Sequence, residues 1–272
     1  MIVIKVGGEI VKSGAIDVIA PDVAELWSRG EEIVVVHGGG PQATELQKQL
    51  GQTPNIIAGR RVTDQKTLDV MKMAVCGLVN VDLCAALFRA GCKPVGLHGA
   101  SAGAIQAKRR PPVVVAGAGS EPIDFGLVGD VTGVNRELLA LLTSGGFIPV
   151  LACLGCDEGG QTYNINADTV ANQVACALDA RMLIVVSDVP GVLRDVSDPS
   201  SRIARMNKAE ADAAIASGVV TKGMIPKLEE SFAAIATGVQ SVLIVGKLAR
   251  GELALAVHEP GRVGTLLVRT EP

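Results

Sequence analysis

Apolar residues follow two rhythms along this chain. Short, nearly unbroken runs rich in Val and Ile stand at residues 2–6, 32–36, 93–97, 147–152, 182–186, 241–245 and 265–268. Runs of that length and composition predict strands buried on both faces of a parallel sheet. Residues 15–29, 135–144, 167–180, 208–217 and 226–237 instead carry the spacing of helices. The first of these is predicted to stop at Gly30, and Asn207 with Glu210 has capping-box spacing ahead of the fourth. Thr63 and then Asp64 can cap a long helix toward Gly77, with a second helical segment over 79–90. Residues 55–62 predict a small hairpin or flap, 104–134 strands and loops over the sheet, and 155–163 a loop. Strands alternating with helices make an α/β protein.

The strand ends carry the candidate chemistry. The first strand runs through Lys5 into Gly7 and Gly8, where a turn can bring backbone N–H groups and an ammonium close to one anion. The second runs into His37, Gly38, Gly39, Gly40 and Pro41, a strand–nest–helix junction suited to a carboxylate or phosphate. Neither spacing is a Walker motif or GxGxxG. Arg60 and Arg61 offer an arginine fork for a substrate carboxylate, or else a solvated pair on a flap. Asn164 and Asn166 point the same way if that piece is extended, and Asp168 falls at a helix start, where capping is the plainer role. The loop from Ser187 to Val192 follows a strand at its carboxyl end and is a candidate nucleotide contact. Lys108, Arg109 and Arg110 form a basic run of the kind that usually makes a solvated face.

Composition narrows the options. With 272 residues, 48% hydrophobic and 19% charged, the chain is globular and long enough for one large domain or two joined lobes. Only 2% is aromatic, so the core is aliphatic and a base-stacking platform is missing; a net charge of −3 also argues against a nucleic-acid partner. No signal pattern precedes the first strand and no apolar run is long enough to span a bilayer, which predicts a cytoplasmic protein without a membrane partner. Six cysteines then read as reduced, mostly buried thiols. Cys153 and Cys156 form a lone CxxC with no second ligand pair, so no metal ligands are expected; His98 and His258 read as structural.

KVGG (5–8), HGGGP (37–41), GRRVTD (59–64), YNINAD (163–168), SDVPGV (187–192) and TKGMIPK (221–227) occur in an order that closely resembles the amino acid kinase family, over nearly the whole chain. The resemblance implies an open three-layer αβα sandwich with a mainly parallel central sheet. It implies two lobes, residues 1–178 for the amino-acid substrate and dimerisation and residues 179–272 for ATP. Within the family the chain looks like the members that phosphorylate the side-chain carboxylate of N-acetyl-L-glutamate in arginine synthesis. Carried over residue by residue, Lys5 and Lys227 match the lysines that stabilise the transferring phosphoryl group, and Asp168 the aspartate that orients them. Gly39, Gly40, Arg61 and Asn164 match contacts to the acetylglutamate. Gly7 and Gly8, Asp188, Val189, Pro190, Gly191, Val192 and Leu193, with Val219, Val220 and Thr221, match the nucleotide site. Mg²⁺ is implied, held mainly by ATP. Arg60 stands where the family usually has an apolar residue, and the CLGC cysteines are not expected. The chain opens directly on its first strand, without the extra N-terminal helix of arginine-inhibited members, so the resemblance implies an arginine-insensitive homodimer.

The chemistry agrees with a carboxylate acceptor. It is ionised at pH 7 and needs no general base; the obstacle is repulsion between two anions, which lysines, backbone donors and Mg²⁺ offset. Two rivals stay open: a kinase acting on a carrier-protein-linked aminoadipate or glutamate, and a non-catalytic nucleotide-binding sensor.

Overall fold

The Val/Ile runs do build one buried sheet. The computed structural model describes residues 1–115, 118–220, 224–246 and 248–269. The first third contains β1 (Ile2–Val6), α1 (Gly8–Lys12), α2 (Ile16–Ser28), β2 (Ile33–His37), α3 (Gly40–Gln49), β3 (Ile56–Ile57), β4 (Arg60–Arg61) and α4 (Gln65–Met71). A π-helical stretch (Lys72–Val79) leads to α5 (Asn80–Arg89), β5 (Pro94–Leu97), β6 (Ile105–Arg109), β7 (Gly129–Val134) and α6 (Arg136–Ser144). Then come β8 (Ile148–Ala152), β9 (Leu154–Cys156), β10 (Thr162–Asn164), α7 (Ala167–Ala177) and β11 (Met182–Ser187). The chain finishes with β12 (Arg205–Met206), α8 (Lys208–Ala216), α9 (Ile225–Ala236), β13 (Ser241–Gly246), α10 (Glu252–His258) and β14 (Thr265–Val268).

The main sheet has eight strands in the order β12-β14-β13-β11-β1-β2-β8-β5, parallel throughout except for β13 against β14. Helices cover both faces, so β1, β2, β8 and β11 are buried at every position. Side chains alternate between faces. Val3, Val34, Leu183 and Val185 pack toward α7 and α9, while Ile2, Ile4, Val6, Ile33 and Val35 pack toward α2, α5 and α10. Alternation therefore sends Lys5 and Ser187 to the α7/α9 face and His37 to the α5 face. A second sheet, β10-β9-β6-β7, and the β3-β4 hairpin stand beside the carboxyl end of the main one.

Several expectations change. The 155–163 segment is a hairpin rather than a loop throughout: Leu154–Cys156 pairs antiparallel with Thr162–Asn164 around a turn at 157–161, so the CLGC cysteines lie in and beside a buried strand. The two helical segments predicted across Gly77 are one unbroken helix, Gln65–Arg89, with the π-helical stretch in its middle. Its first half packs into the core on one face of the sheet and its second half into the core on the other. By length and composition this helix could cross a membrane, contrary to the sequence expectation, but half of its most apolar window is buried inside the fold. The helices α1 and α10 and the strand β12 were not anticipated. The cap at Asp64, which accepts from the Thr67 amide, and the Asn207–Glu210 capping box both form.

Candidate active site

Parallel sheets leave their ligand crevice where strand connections diverge, at the carboxyl ends of the strands. Here β1 sends its chain one way and its neighbours β2 and β11 continue on either side. Lys5 is the one charged residue of β1 and only 8% exposed. Its ammonium makes a 2.8 Å salt bridge with Asp168 Oδ1. Asp168 sits in the first turn of α7, where the helix dipole favours a carboxylate, and Asn166 rather than Asp168 is the cap, accepting from the Asp168 amide at 2.7 Å. The capping alternative for Asp168 is thereby removed.

The glycines serve close approach, not left-handed turns. None of Gly7, Gly8, Gly38, Gly39 and Gly40 belongs to the left-handed positions, and Gly7 and Gly8 open α1 instead of making a turn. A side chain at Gly8 would start 2.7 Å from the Pro41 ring and 3.2 and 3.3 Å from the Gly39 and Gly40 amide nitrogens. One at Gly39 would meet Val75 at 2.8 Å. The two glycine-rich junctions thus press together, with the π-helical stretch beneath the second. Both helices that start here, α1 and α3, lack a side-chain cap, so first-turn amides and the positive end of α3 are left facing the crevice.

The crevice opens into a cavity of about 860 Å³ bordered by Lys5, Gly8, Gly40, Arg61, Asn164 and Glu230, among others. Arg61 is anchored on its wall. It donates to Gly40 O at 3.1 Å, to Thr44 Oγ1 at 2.7 Å and to Gln47 Oε1, and burial lowers its pKa. Asn164 ends β10 and donates to Thr63 Oγ1 at 3.1 Å. Arg60, on the same hairpin, borders the cavity too, and Arg110 enters it paired to Asp130 at 2.7 Å. Glu230, on α9, has its pKa raised by burial first and by Asp168 second, against the opposing fields of Lys5 and Arg60. Cys153 borders the same cavity, its thiol pushed up to about 12 chiefly by burial.

Lys227, in the first turn of α9, reaches the end of β11 rather than Asp168. It donates to Ser187 Oγ at 2.5 Å and lies 3.5 Å from Asp188 Oδ1. Asp188 is held below the usual carboxylate range by the Ser187 hydroxyl ahead of Lys227, while burial opposes both. Lys5 and Ser187 share one face of adjacent strands, with Val6 opposite Val186 in register, so the two ammonium groups belong to one sheet edge. Val189 and Pro190 are half-buried; Gly191, Val192 and Val220 are buried, and Leu193 and Val219 are half-buried. The Val192 and Val220 side chains belong to the core, and the backbone of Val192 and the Val220 amide bond within the protein, to Thr265, Ile203 and Ala214. Thr221 lies outside the described residues.

The chain matches the family described as "Amino acid kinase family" over residues 1–246. It belongs to the amino acid kinase family. The acetylglutamate kinase of Sorangium cellulosum is 61% identical over 98% of this chain and 94% of its own length. That of Anaeromyxobacter sp. strain K is 57% identical over 98% of both. Among solved structures, the N-acetylglutamate synthase of Neisseria gonorrhoeae complexed with coenzyme A and N-acetyl-glutamate has a TM-score of 0.82 at 24% identity. It covers 100% of this chain and 60% of the other, a likeness of fold.

Within this family member the sequence reading overlooked Thr44, Gln47 and Glu230, and it read Arg110 only as part of a solvated basic run. Thr44 and Gln47 follow HGGGP by three and six residues, helical spacing that puts them on one side of α3. That periodicity was a usable signal. Nothing local marks Glu230, which reaches the cavity only through tertiary packing.

Proposed function

We propose that the protein transfers the γ-phosphoryl group of ATP to the side-chain carboxylate of N-acetyl-L-glutamate, forming an acyl phosphate and ADP in arginine biosynthesis. The observation that carries this reading is the Lys5–Asp168 ion pair at the mouth of a cavity that also holds an anchored arginine and uncapped helix amides. A carboxylate oxygen attacks the γ-phosphorus while the bond to the ADP oxygen breaks. The acceptor is already ionised, so no base is needed. Lys5 and Lys227 offset charge on the transferring group, and Asp168 holds Lys5 in place. Arg61 pairs with an acceptor carboxylate, Asn164 hydrogen-bonds its polar groups, and Gly39 and Gly40 supply backbone donors. Gly7 and Gly8, with Asp188 to Leu193 and Val219 to Thr221, face the nucleotide.

Among the described residues no three His, Cys, Asp or Glu side chains gather as a metal site, and Asp168 is tied to Lys5. Mg²⁺ in this reading is held mainly by the phosphates of ATP and neutralises part of their charge. We infer two working lobes, 1–178 for acceptor and dimer and 179–272 for nucleotide, in a cytoplasmic homodimer. The dimer is supported by Leu78, Val81 and Phe88, large apolar residues 57%, 62% and 72% exposed on α5 and the stretch before it. Sedimentation at micromolar concentration is expected to give twice the chain mass; a monomer removes that inference.

The carrier-protein alternative draws on the charges of Arg60–Arg61 and of the run Lys108–Arg110. In the latter, Arg109 is paired with Asp124 at 2.8 Å and Arg110 with Asp130, so two of its three charges are already engaged. Trapping acyl phosphate with hydroxylamine decides the substrate. Hydroxamate is expected with free acetylglutamate in step with ADP release, and little with glutamate, aminoadipate or a carrier-linked acid. Preference for the carrier-linked acid, or no ATP turnover at all, would overturn the proposal.

A further inference from the structure

His37 is fully buried on β2, immediately before the glycines of the crevice, and the chemistry above gives it no task. Its Nδ1 lies 2.8 Å from Gly38 O and its Nε2 lies 2.9 Å from Asn80 Nδ2. The same Asn80 nitrogen is 2.9 Å from Val150 O. A carbonyl only accepts, so the Asn80 atom facing Val150 is its NH₂ group. An NH₂ group cannot accept, so Nε2 of His37 carries no proton. The proton therefore sits on Nδ1 and is donated to Gly38 O. One backbone carbonyl of β8 thus fixes, through Asn80, the tautomer of a ring that grips the peptide leading into Gly39 and Gly40.

The surroundings keep the ring neutral. In register, β1 places Val6 and β8 places Ala152 beside His37. From α5, Cys84 lies beyond Asn80, its Sγ 3.9 Å from Asn80 Oδ1. Burial lowers the His37 pKa to about 4, the Gly38 carbonyl opposing, and no charged side chain contributes. Asn80 follows directly on the π-helical stretch, whose Val75 supports Gly39 from below. An extra-wide turn that re-aims side chains is a frequent feature of functional sites.

We propose that His37 and Asn80 are positioning residues for the reaction: Asn80 holds the His37 ring as a neutral Nδ1–H donor, which turns the Gly38 carbonyl away and presents the Gly39 and Gly40 amides to the acceptor. The inference rests on the acetylglutamate reading of the site. That reading is checked by wild-type turnover, whereas the following variants are compared with an active wild type, so the two can fail separately.

In Asn80→Asp the donor facing Nε2 becomes an acceptor, which favours an imidazolium. The expected result is a loss of about 10- to 100-fold in kcat/KM for acetylglutamate, less than the roughly 100- to 1000-fold of a donor removed outright because the amides are displaced and not deleted, with the KM for ATP within about twofold. The pH profile of the variant gains an ionisation between pH 6 and 8 that the wild type lacks. Asn80→Ala, without the new charge, is expected to lose activity without that ionisation. A folded Asn80→Asp protein with wild-type kinetics and profile overturns the proposal. Should neither variant fold, nitrogen NMR of the wild-type ring decides. A neutral Nδ1–H ring down to pH 5.5 is expected; an Nε2–H tautomer or titration between pH 6 and 8 overturns it.

Discussion

The carboxyl end of β2 and the carboxyl end of β11 meet the same crevice but are built differently. Around β2, each recognition group is tied down before any ligand arrives. Arg61 spans three partners on α3, Asn164 leans on Thr63, and the glycines are wedged against Pro41 and Val75. Around β11, Asp188 is 73% exposed at its side chain and Lys227 is 28% exposed. The apolar members of that loop turn inward, with Val192 donating its amide to Thr265 Oγ1 at 2.8 Å. Preorganised side chains discriminate among acceptors, since their ordering cost is met on folding rather than on binding. A nucleotide offers the same phosphates in every kinase and calls for less discrimination. On the proposed reading, the acceptor end therefore sets specificity and the β11 end supplies charge.

The sharpest way to break that contrast is to remove the charge. Lys227→Ala deletes an ammonium from the β11 end without touching the acceptor wall. A unit charge at ~4 Å is worth about 4 kcal/mol at an effective dielectric near 20, roughly a thousandfold in rate when it acts in the transition state alone. Turnover is expected to fall by about that factor while both KM values move by less than about threefold. Steady-state kinetics at saturating substrates reads it. Turnover near the wild-type value would mean that Lys227 only neutralises Asp188.

How much of this was visible beforehand differs by kind of feature. The seven apolar runs became strands of the main sheet because burial on both faces leaves a period-free signature that needs no tertiary knowledge. Caps at Asp64 and Asn207 were equally local. The single helix through Gly77 was missed because glycine usually ends helices, and here packing on both faces of the sheet overrides that preference. The glycine motifs were read as anion nests with sharp turns. The structure gives a steric reason for glycine instead: Gly8 against Pro41 and Gly39 against Val75 are contacts between segments 30 or more residues apart, invisible to local reasoning. Lys227 was expected beside Asp168, and it lies instead with Ser187 and Asp188. Sequence order identified neither its strand end nor its partner, because both depend on tertiary packing and side-chain geometry.

A smaller effect sharpens the contrast from the other end. Arg61→Ala removes a preorganised cation from the acceptor wall, and a charge-assisted hydrogen bond of about 1.5–3 kcal/mol corresponds to roughly 10- to 100-fold in binding. The KM for acetylglutamate is expected to rise by that range, with the KM for ATP unchanged and turnover reduced far less than in Lys227→Ala. The anchoring also predicts what fails to rescue. Gln47, Thr44 and Gly40 O engage the guanidinium from different directions, and a lysine ammonium cannot reach all three while still facing the cavity. Arg61→Lys should therefore resemble Arg61→Ala rather than the wild type. If both KM values rose together in Arg61→Ala, or if lysine restored acetylglutamate binding, Arg61 would be part of the wall alone, and the division between a rigid acceptor end and a charge-supplying β11 end would lose its main support.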